Sequence, residues 1–389
     1  MPNLTSPRVL MINNDSKHFV THRLSQARLL EELGFDLHLA VPPPTEDLPF
    51  RSEADRAWFQ RLRKHAFSLD RKGLNPIREL RAVQALTRIV RDVRPQIVHS
   101  VTPKGSIYGS CAARRAVGVR GIVSTITGLG FVFSSASVRA RLLRPLTVRA
   151  YRSAFGDRRC RVIFQNPDDR GLFLSLGVLR AGQARLVPGS GVDVQHFRLT
   201  EEAPGPVKVL FAGRMLRDKG VETLVSAARL VREILPALEV HLLGDVDPSN
   251  PGSISRSELA SWQSEGLVHW HGAVADVRPF LEAAHIACLP SYREGVPMAL
   301  LEASAAGRAM VATDVPGCRE VVETGKTGLL VPVGRPRELA DALLSLARDP
   351  ARRQAMGRAA RARAETEFSR ATIAGKVAGV YRECLETPV

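Results

Sequence analysis

The amino-acid sequence predicts an α/β protein with two parallel β-sheets, each covered by helices. Short apolar runs, typical of buried strands, alternate along the chain with longer segments of helical periodicity. This alternation starts afresh after residue 200, so the pattern occurs twice. Because repeated strand and helix units build parallel sheets with helices on their faces, we predict two such domains, and 389 residues of which 44% are hydrophobic suffice for two cores.

In the first half, apolar runs predict four strands and periodic segments predict two helices. Gly34 ends the first helix, since glycine adopts the left-handed backbone that often follows a helix. In chain order, the predicted elements are a strand at 8–14, a helix at 21–34, a strand at 35–42, a helix at 75–95, and strands at 96–101 and 121–127.

The second half repeats the pattern, and one of its helices carries clear end signals. Pro297 has the fixed φ favoured in the first turn of a helix, and Gly307 closes that helix. The predicted elements are a strand at 207–213, a helix at 220–235, strands at 238–245 and 286–291, a helix at 297–307, and strands at 309–314 and 329–332.

The two predicted domains meet near the sequence LVPGSGVDVQHF. We assign residues 1–195 to the first domain and 196–368 to the second, and expect residues 369–389 to form a helix that packs back on the first domain. Ligands of such sheets bind at the carboxyl ends of the strands. The residues that follow each strand, together with Ser190 and Gly191 in the joint, are therefore candidate substrate contacts.

The composition argues against several classes of protein. The start of the sequence lacks a charged segment followed by a long apolar stretch, and no apolar run reaches the roughly eighteen residues of a membrane span. We therefore expect neither secretion nor a spanning helix. The five cysteines are odd in number and far apart, so they predict neither a disulfide framework nor a zinc site and suit a reducing cytoplasm.

Positive charge is concentrated in the N-terminal half. Residues 1–200 carry 32 Lys and Arg against 15 Asp and Glu, whereas residues 201–389 carry 23 against 24. Residues 101–161 contain 12 basic residues and a single acid, Asp157. Such an excess predicts an anionic partner, either phosphate, membrane or nucleic acid.

The segment 139–161 is the most basic helical pattern in the chain. On a helix, four of its arginines share one arc with Val148, Tyr151 and Phe155. Basic side chains mixed with aromatic ones suit the headgroup zone of an anionic membrane, and the alternative is an ordinary solvated face. The predicted membrane-facing residues are Arg141, Arg144, Arg149 and Arg152.

Two acids, Glu294 and Glu302, lie on either side of a helix start in the second half. Free N–H groups at the turn of Gly295, Val296 and Pro297 form an anion site suited to a diphosphate. A carboxylate beside a phosphate is best matched to hydroxyl donors, although an isolated Glu at a helix start is also a common partner of the helix dipole. A ligand with a diphosphate between two polyols fits both features, which indicates a nucleotide sugar.

The sequence FAGRMLRDKG supplies the other half of the phosphate site. A predicted strand ends at Gly213 and is followed by Arg214 and Lys219. These are the positive charges that a departing diphosphate requires.

The second half resembles the retaining nucleotide-sugar glycosyltransferases of family 4, which have two facing Rossmann-like domains, the GT-B fold. The resemblance is carried by GRMLRDKG, by the stretch from HGAVADVRPF to MVATDVPG, and by GKTGLLVPVG. It implies that Glu294 contacts the hydroxyls of the donor sugar, that Glu302 holds the ribose, and that Arg214 and Lys219 bind the diphosphate. It also implies two domains across a cleft and transfer with retention of configuration.

The first half resembles a subgroup of that family through HSVTPKGSIYGSCAARRAVGV, STITGLGFVF and VIFQNPDD. This subgroup extends polyprenyl-diphosphate-linked oligosaccharides, as in bacterial O-antigen, capsule or protein-glycan assembly, and includes N-acetylhexosaminyltransferases. Many family members place a donor-binding His where this chain has Thr127, followed by Gly128, Leu129 and Gly130. The usual Gly pair after the first strand is replaced by NNDSKHF.

Four further residues of the first half are candidate substrate contacts. His22 and Arg23 open the first predicted helix and either face the ligand or cap a surface. His99 and Lys104 lie at a strand end, although His99 is equally compatible with a satisfied core group.

We predict no metal and no cofactor besides the nucleotide-sugar donor, expected to be a UDP-sugar. The motif GDVD, with Asp245 and Asp247, imitates a metal-binding pair, but the cationic clamp already supplies the positive charge, so we interpret it as a loop. The expected partners are a lipid-linked saccharide acceptor and an anionic membrane surface, which would place the enzyme in the cytoplasm, peripheral on the inner face of the cytoplasmic membrane.

Two other functions are compatible with parts of the sequence. A nucleotide-sugar epimerase or hydrolase on the same fold would not need a basic, membrane-facing half. A nucleic-acid-binding protein would explain the charge, but the chain has no helix-turn-helix, RNP-like or zinc motif. The predicted function is therefore glycosyl transfer, without a nucleic-acid partner.

Overall fold

A computed structural model describes residues 6–44, 47–69, 75–129, 132–133 and 138–387. The chain divides into two compact units, one formed by residues 1–190 with 370–389 and the other by residues 191–369. Each unit contains one sheet whose described strands are all parallel. The predicted fold class, α/β with two parallel sheets covered by helices, is confirmed.

The sheet of the first unit has seven described strands, in the order β3-β2-β1-β4-β5-β6-β7. Its central strands are buried from end to end, as expected for a sheet covered on both faces. The strands are β1 (Arg8–Ile12), β2 (Asp36–Val41), β3 (Arg63–Ala66), β4 (Ile97–Val101), β5 (Gly121–Ile126), β6 (Cys160–Phe164) and β7 (Ala184–Leu186).

Helices follow the strands of the first unit, and one comes from the end of the chain. They are α1 (Ser16–His22), α2 (Leu24–Glu32), α3 (Glu53–Arg61), α4 (Pro76–Val93), α5 (Pro103–Arg114), α6 (Val138–Phe155), α7 (Pro167–Ser175) and α15 (Arg370–Glu386). Helix α15 packs against α2 and β5. Its Glu383 binds Arg161 of β6 at 2.7 Å and Arg185 of β7 at 2.9 Å.

The second unit has a sheet of six described strands in the order β10-β9-β8-β11-β12-β13. The strands are β8 (Lys208–Ala212), β9 (Glu239–Leu243), β10 (His269–Trp270), β11 (Ile286–Leu289), β12 (Ala309–Thr313) and β13 (Gly328–Val331). The helices are α8 (Val221–Ile234), α9 (Arg256–Ser264), α10 (Arg278–Ala283), α11 (Met298–Ala305), α12 (Pro316–Val321), α13 (Pro336–Arg348) and α14 (Pro350–Thr366).

The helix predicted at 21–34 begins earlier and is broken in two. Asp15 caps α1 by accepting the N–H of His18, and the break falls at Arg23, whose φ of −125° is not helical. Arg23 is buried, and its side chain binds Gln26 at 3.1 Å. The pattern of apolar residues indicated the helical face but not this break, because the burial of an arginine depends on the tertiary structure.

The helix ends predicted from Gly and Pro are close to those observed. Gly34 and Gly307 have φ of +95° and +70°, the backbone that ends a helix, and they follow α2 and α11. Pro297 is the N-cap of α11 rather than its first helical residue.

The boundary between the units lies after Ser190, whereas the sequence analysis placed it after residue 195. The difference arises because Val192 pairs with Ser369, and its N–H donates to Phe368 O at 2.8 Å, which holds residues 191–195 within the second unit. Among the described helices, none is both long and apolar enough to cross a lipid bilayer.

Candidate active site

The turn that follows β8 is held against the end of β11. Residues 217–219 form a short 3₁₀ turn, and Gly220 follows with φ of +74°. A Cβ at Gly220 would lie 2.0 Å from the carbonyl oxygen of Pro290, so a side chain cannot be accommodated there. The N–H of Tyr292 donates to Asp218 O at 2.8 Å. This close approach brings Lys219 beside the loop that carries Glu294.

Lys219 and Glu294 form a largely buried ion pair. The Nζ atom of Lys219 lies 2.7 Å from Oε1 of Glu294, and the side chains are 23% and 10% exposed. The hydroxyl of Ser291 donates to the same oxygen at 2.7 Å. The structure therefore brings together Lys219 and Glu294, two of the three predicted catalytic residues. The Ser291 hydroxyl orients the Glu294 carboxylate.

Two contacts outside the predicted set fix this loop. Thr313, at the end of β12, donates a hydrogen bond to the backbone oxygen of Ser291. Gly317, in α12, lies so close that a Cβ would be 1.9 Å from the oxygen of Gly295. The loop is thus packed between β12 and α12. Burial raises the pKa of the Cys318 thiol, with a further contribution from Glu294, so that thiol stays neutral.

Helix α11 begins directly after this loop. Pro297 is buried, whereas Gly295 and Val296 are half-buried. Glu302 lies in the second turn of α11, is half-buried, and its backbone oxygen accepts the N–H of Ala306 at 2.9 Å. The positive end of the helix dipole is therefore next to Glu294, where an anionic group of a ligand would be stabilised.

Arg214 lies at the end of β8 and is paired with an acid. The strand end is fixed by the Gly213 N–H, which donates to Leu243 O at 2.9 Å. Arg214 Nη1 lies 2.9 Å from Asp247 Oδ2, and the Arg214 side chain is 61% exposed. Asp245 binds Arg256 at 2.8 Å. Both acids of the GDVD motif are therefore neutralised by arginine in this structure.

In the first unit, Lys104 lies in the first turn of α5, after the end of β4. Its Nζ atom binds Glu79 of α4 at 2.7 Å, and the Tyr108 hydroxyl donates to the same carboxylate. Thr102, which the sequence analysis did not single out, precedes α5 with φ of +80° and ψ of 155°, a region that only glycine adopts without strain. No motif in the sequence indicates this strained backbone.

Thr127 and Gly128 follow β5 at the same edge of the sheet as Lys104. Both are half-buried, and Gly128 has φ of +155°. Leu129 is buried, while Gly130 lies outside the described residues.

His99 is a core residue with both ring nitrogens bonded. It has no solvent exposure, its Nδ1 lies 2.5 Å from the Tyr381 hydroxyl, and its Nε2 lies 2.7 Å from Thr125 Oγ1. Burial, reinforced by the charge of Arg23, lowers the pKa of His99 to about 3. Of the two alternatives for His99, the structure therefore shows the core group with satisfied hydrogen bonds and not a side chain accessible to a ligand.

His22 and Arg23 differ in their surroundings. Arg23 is 3% exposed, and burial lowers the pKa of its guanidinium to about 10. His22 is half-buried, and burial together with Arg23 and Arg51 lowers its pKa to about 4, so the ring is neutral near pH 7. His22 is thus the more accessible of the two for a ligand contact.

The basic helix α6 does not present its aromatic side chains to solvent, contrary to the sequence analysis. Tyr151, Phe155 and Val148 are buried in the core of the first unit, because they face the sheet. Two leucines, Leu142 and Leu146, are exposed instead, at 72% and 67%.

The arginines of α6 have two kinds of environment. Arg141, Arg149 and Arg152 are exposed, and Arg152 also donates to Leu176 O at 2.6 Å. Arg144 is half-buried, donates to Val132 O at 3.3 Å and lies over the ring of Phe133. The exposed face of α6 is therefore a mixture of arginine and leucine.

Ser190 and Gly191 lie at the division of the chain into its two units. Gly191 is buried with φ of +82°, and Ser190 is half-buried. Both follow β7, the edge strand of the first sheet.

Both halves of the chain match models of known protein families. Residues 8–166 match the family described as Glycosyl transferase 4-like, and residues 206–349 match Glycosyl transferases group 1. The two matches fall on the two sheets.

Related proteins of known name are similar over most of their length. A Bacillus subtilis (strain 168) protein named as glycosyltransferase EpsD is 24% identical, and the alignment covers 96% of each chain. The N,N'-diacetylbacillosaminyl-diphospho-undecaprenol alpha-1,3-N-acetylgalactosaminyltransferase of Campylobacter jejuni is 26% identical over 74% of this chain and 77% of its own.

Solved structures share the fold. A sucrose-phosphate synthase of Thermosynechococcus elongatus superposes with a TM-score of 0.78 at 21% identity, covering 97% of this chain and 99% of the other. HepE of Anabaena, solved in complex with UDP, superposes with a TM-score of 0.75 at 16% identity, covering 97% and 100%. Both are two-domain proteins of the GT-B fold, which the two parallel sheets of this chain also form.

Proposed function

Because this chain is a glycosyltransferase of the GT-B fold, we propose that it transfers an N-acetylhexosamine from a UDP-sugar to a saccharide carried on a polyprenyl diphosphate. The proposed binding of the UDP-sugar donor is supported by the ion pair of Lys219 and Glu294, whose carboxylate also accepts from Ser291. This pair lies just before the start of α11, so a cation, an acid and a helix N-terminus are close together.

The donor would bind with its diphosphate at the amino end of α11. There the helix dipole and Lys219 favour negative charge, and Arg214 is a second cation, whose side chain is 61% exposed and so accessible to a ligand. Glu294 would accept hydrogen bonds from the sugar hydroxyls, and Glu302 from the ribose. UDP as the nucleotide is supported by the HepE structure, which was solved with UDP.

The proposed reaction retains the configuration of the sugar and needs no metal. The bond from the anomeric carbon to the diphosphate breaks, the acceptor hydroxyl forms a new bond to the same face, and its proton passes to the leaving diphosphate. Lys219, Arg214 and the helix N-terminus would stabilise the charge that develops on that diphosphate. Asp245 and Asp247 form ion pairs with Arg256 and Arg214, which supports a structural role for the two acids rather than a role as metal ligands.

The lipid-linked acceptor is supported by one relative and by the charge of the first unit. The Campylobacter relative is named for an undecaprenol-linked acceptor. On α6, exposed Arg141 and Arg149 lie near exposed Leu142 and Leu146, the combination expected of a helix that rests on anionic headgroups. We therefore propose that the enzyme works in the cytoplasm, at the inner face of the cytoplasmic membrane.

The experiment that tests the proposal supplies UDP-N-acetylglucosamine or UDP-N-acetylgalactosamine together with a synthetic polyprenyl-diphosphate saccharide. The expected product is the acceptor plus one N-acetylhexosamine, identified by mass, with the α linkage that retention requires read by NMR. Turnover in EDTA should equal turnover in Mg²⁺. Hydrolysis or epimerisation of the donor that is indifferent to the acceptor would refute transfer, and activity lost in EDTA and restored by Mg²⁺ would refute metal independence.

A further inference from the structure

A cluster of histidines lies on β9, on β10 and directly after β10, whereas the candidate active site follows the carboxyl ends of β8 and β11. Glu239 and His241 alternate on β9, so both side chains lie on one face of the sheet. His269 is in register with His241 on the edge strand β10, and His271 follows two residues later. Lys208, in register with Glu239, begins β8.

His241 is in contact with the other three side chains, those of Glu239, His269 and His271. His241 Nδ1 lies 3.0 Å from His271 Nε2, and His241 Nε2 lies 3.0 Å from Glu239 Oε2. The ring of His241 stacks on those of His269 and His271, with centroids 4.9 Å and 5.3 Å apart. One ligand atom from each of Glu239, His241 and His269 lies within 4.8 Å of the others.

We propose that this cluster binds a divalent transition metal ion of the zinc type. Imidazole nitrogens with one carboxylate oxygen are a ligand set that Zn²⁺ takes, at about 2.0–2.2 Å from the ion, which sets the ligand atoms of a tetrahedral site about 3.3–3.6 Å apart. Rotation of exposed His269 towards His241 and Glu239 closes the remaining gap. His271 bonds Nδ1 of His241, the nitrogen opposite the one that contacts Glu239, so it is placed to hold the His241 ring.

The first unit contains the same arrangement with one informative difference. Asp36 and His38 alternate on β2, and His38 Nδ1 lies 2.9 Å from His65 Nε2, the same pair of atoms as in the second unit. The residue in register with His38 is Arg63 rather than a histidine. Its Nη1 lies 3.1 Å from His38 Nε2 and 3.3 Å from Asp36 Oδ1.

A guanidinium therefore stands in the first unit where a metal ion would stand in the second. It bonds the imidazole, and it shares the acid with Arg8, whose Nε lies 3.2 Å from Asp36 Oδ2, so a further cation is repelled there. In the second unit His269 replaces that arginine, and the remaining cation near the acid is Lys208, whose Nζ lies 3.8 Å from Glu239 Oε2. This amine is 35% exposed and on a flexible stem, so it can turn to solvent when an ion binds.

A bound ion would tie the two-residue strand β10 to β9. The edge of the sheet would then resist opening, so the ion would act on the stability of the second unit rather than on the transfer reaction.

The test uses the full chain without a polyhistidine tag, titrated with ZnCl₂ in a calorimeter. We expect one ion per chain. In His269→Arg, which copies the first unit, affinity should fall at least about tenfold, because even the loss of a hydrogen-bond partner of a ligand weakens metal binding about 10- to 100-fold. His38→Ala is the matched control and should bind as the wild type does.

A melting curve with and without Zn²⁺ gives a second readout, since an ion that binds the folded chain raises the melting temperature. The rise should be seen in the wild type and in His38→Ala but not in His269→Arg. Because His269 is exposed, its replacement leaves the fold intact, which circular dichroism checks. Equal Zn²⁺ affinity in His269→Arg and the wild type, loss of binding in His38→Ala, or absence of binding in the wild type would each overturn the proposal.

Discussion

Replacing Lys219 by alanine tests the candidate active site most directly. The substitution removes the cation whose Nζ lies 2.7 Å from Glu294 Oε1, and leaves that carboxylate with the Ser291 hydroxyl. It therefore changes both the charge presented to a diphosphate and the position of the acid.

Two magnitudes follow from this geometry. Loss of one preorganised donor to a developing charge lowers turnover about 100- to 1,000-fold, or about 2.7–4 kcal/mol of transition-state stabilisation. A hydrogen bond to a charged group contributes about 1.5–3 kcal/mol, and with Glu294 only 10% exposed we expect a loss of that order in the free energy of unfolding. For a unit of this size, the melting temperature falls by about 2–4 °C per kcal/mol.

The assay measures kcat and KM for the UDP-sugar at saturating acceptor, beside the melting temperature of each variant. The matched control is Arg217→Ala, which removes a cation from the same 3₁₀ turn. Arg217 is 46% exposed and binds Glu222 and Glu258, away from Glu294. Exposed pairs of this kind contribute about 0–1 kcal/mol, so the control should keep its stability and its turnover.

The pair of Lys219 and Glu294 should also act as one unit. Glu294→Gln keeps an oxygen that accepts from Lys219 but removes the charge, so kcat should fall with little change in nucleotide affinity. The double variant should lose less than the product of the two single losses, since the contact is already broken. If folded Lys219→Ala turns over within about twofold of the wild type, the lysine does not stabilise the leaving group and the site assignment fails.

Three further predictions concern the nucleotide, the membrane and the core. Glu302→Ala should weaken UDP binding by about 1–3 kcal/mol in calorimetry, and unchanged affinity would remove its assignment to the ribose. The protein should sediment with anionic but not zwitterionic liposomes, with release near 0.5 M salt and weaker binding by Arg141→Glu with Arg149→Glu; indifference to lipid charge would contradict this. Folding lowers the pKa of His99 from 6.5 to about 3, so its contribution to the free energy of unfolding is fully present above pH 6.5 and is lost as the pH falls towards 3, with about 2 kcal/mol already lost at pH 5. Urea unfolding at pH 5 and pH 7.5 should therefore show a smaller difference in stability for His99→Gln than for the wild type. An equal difference would exclude His99 as the cause.

Most of the fold could be predicted from the sequence because its strands are buried on both faces. Such strands are short continuous apolar runs, and RVLMI, IVHSV and IACL are read directly as β1, β4 and β11. Short elements with polar sequences were not predicted, among them β3 with the sequence RKHA and the two-residue β10. Their positions are set by pairing with β2 and β9, and their own residues carry no apolar pattern.

Some residues of the candidate site could likewise be predicted from the sequence and others could not. Glu294, Lys219 and Arg214 were found because each follows a strand end and because the surrounding motif resembles a known family. The residues that orient them were not found, since Ser291 and Thr313 act through hydrogen bonds between segments far apart in the sequence. The assignment of Tyr151 and Phe155 of α6 to an exposed face was wrong, because periodicity groups the two side chains on one face of a helix but does not indicate what covers that face.

The sequence by itself determined the α/β class, the two sheets, the helix ends at glycine and the uneven charge, because propensity, periodicity and charge are properties of neighbouring residues. The tertiary structure alone decided that His99 and Arg23 are buried, that Arg214 and Lys219 each bind a different acid, and that three side chains of β9 and β10 form a cluster with His271. These facts depend on which segments pack against each other. A side chain's neighbours across a sheet come from register and burial, and neither is encoded within a single stretch of chain.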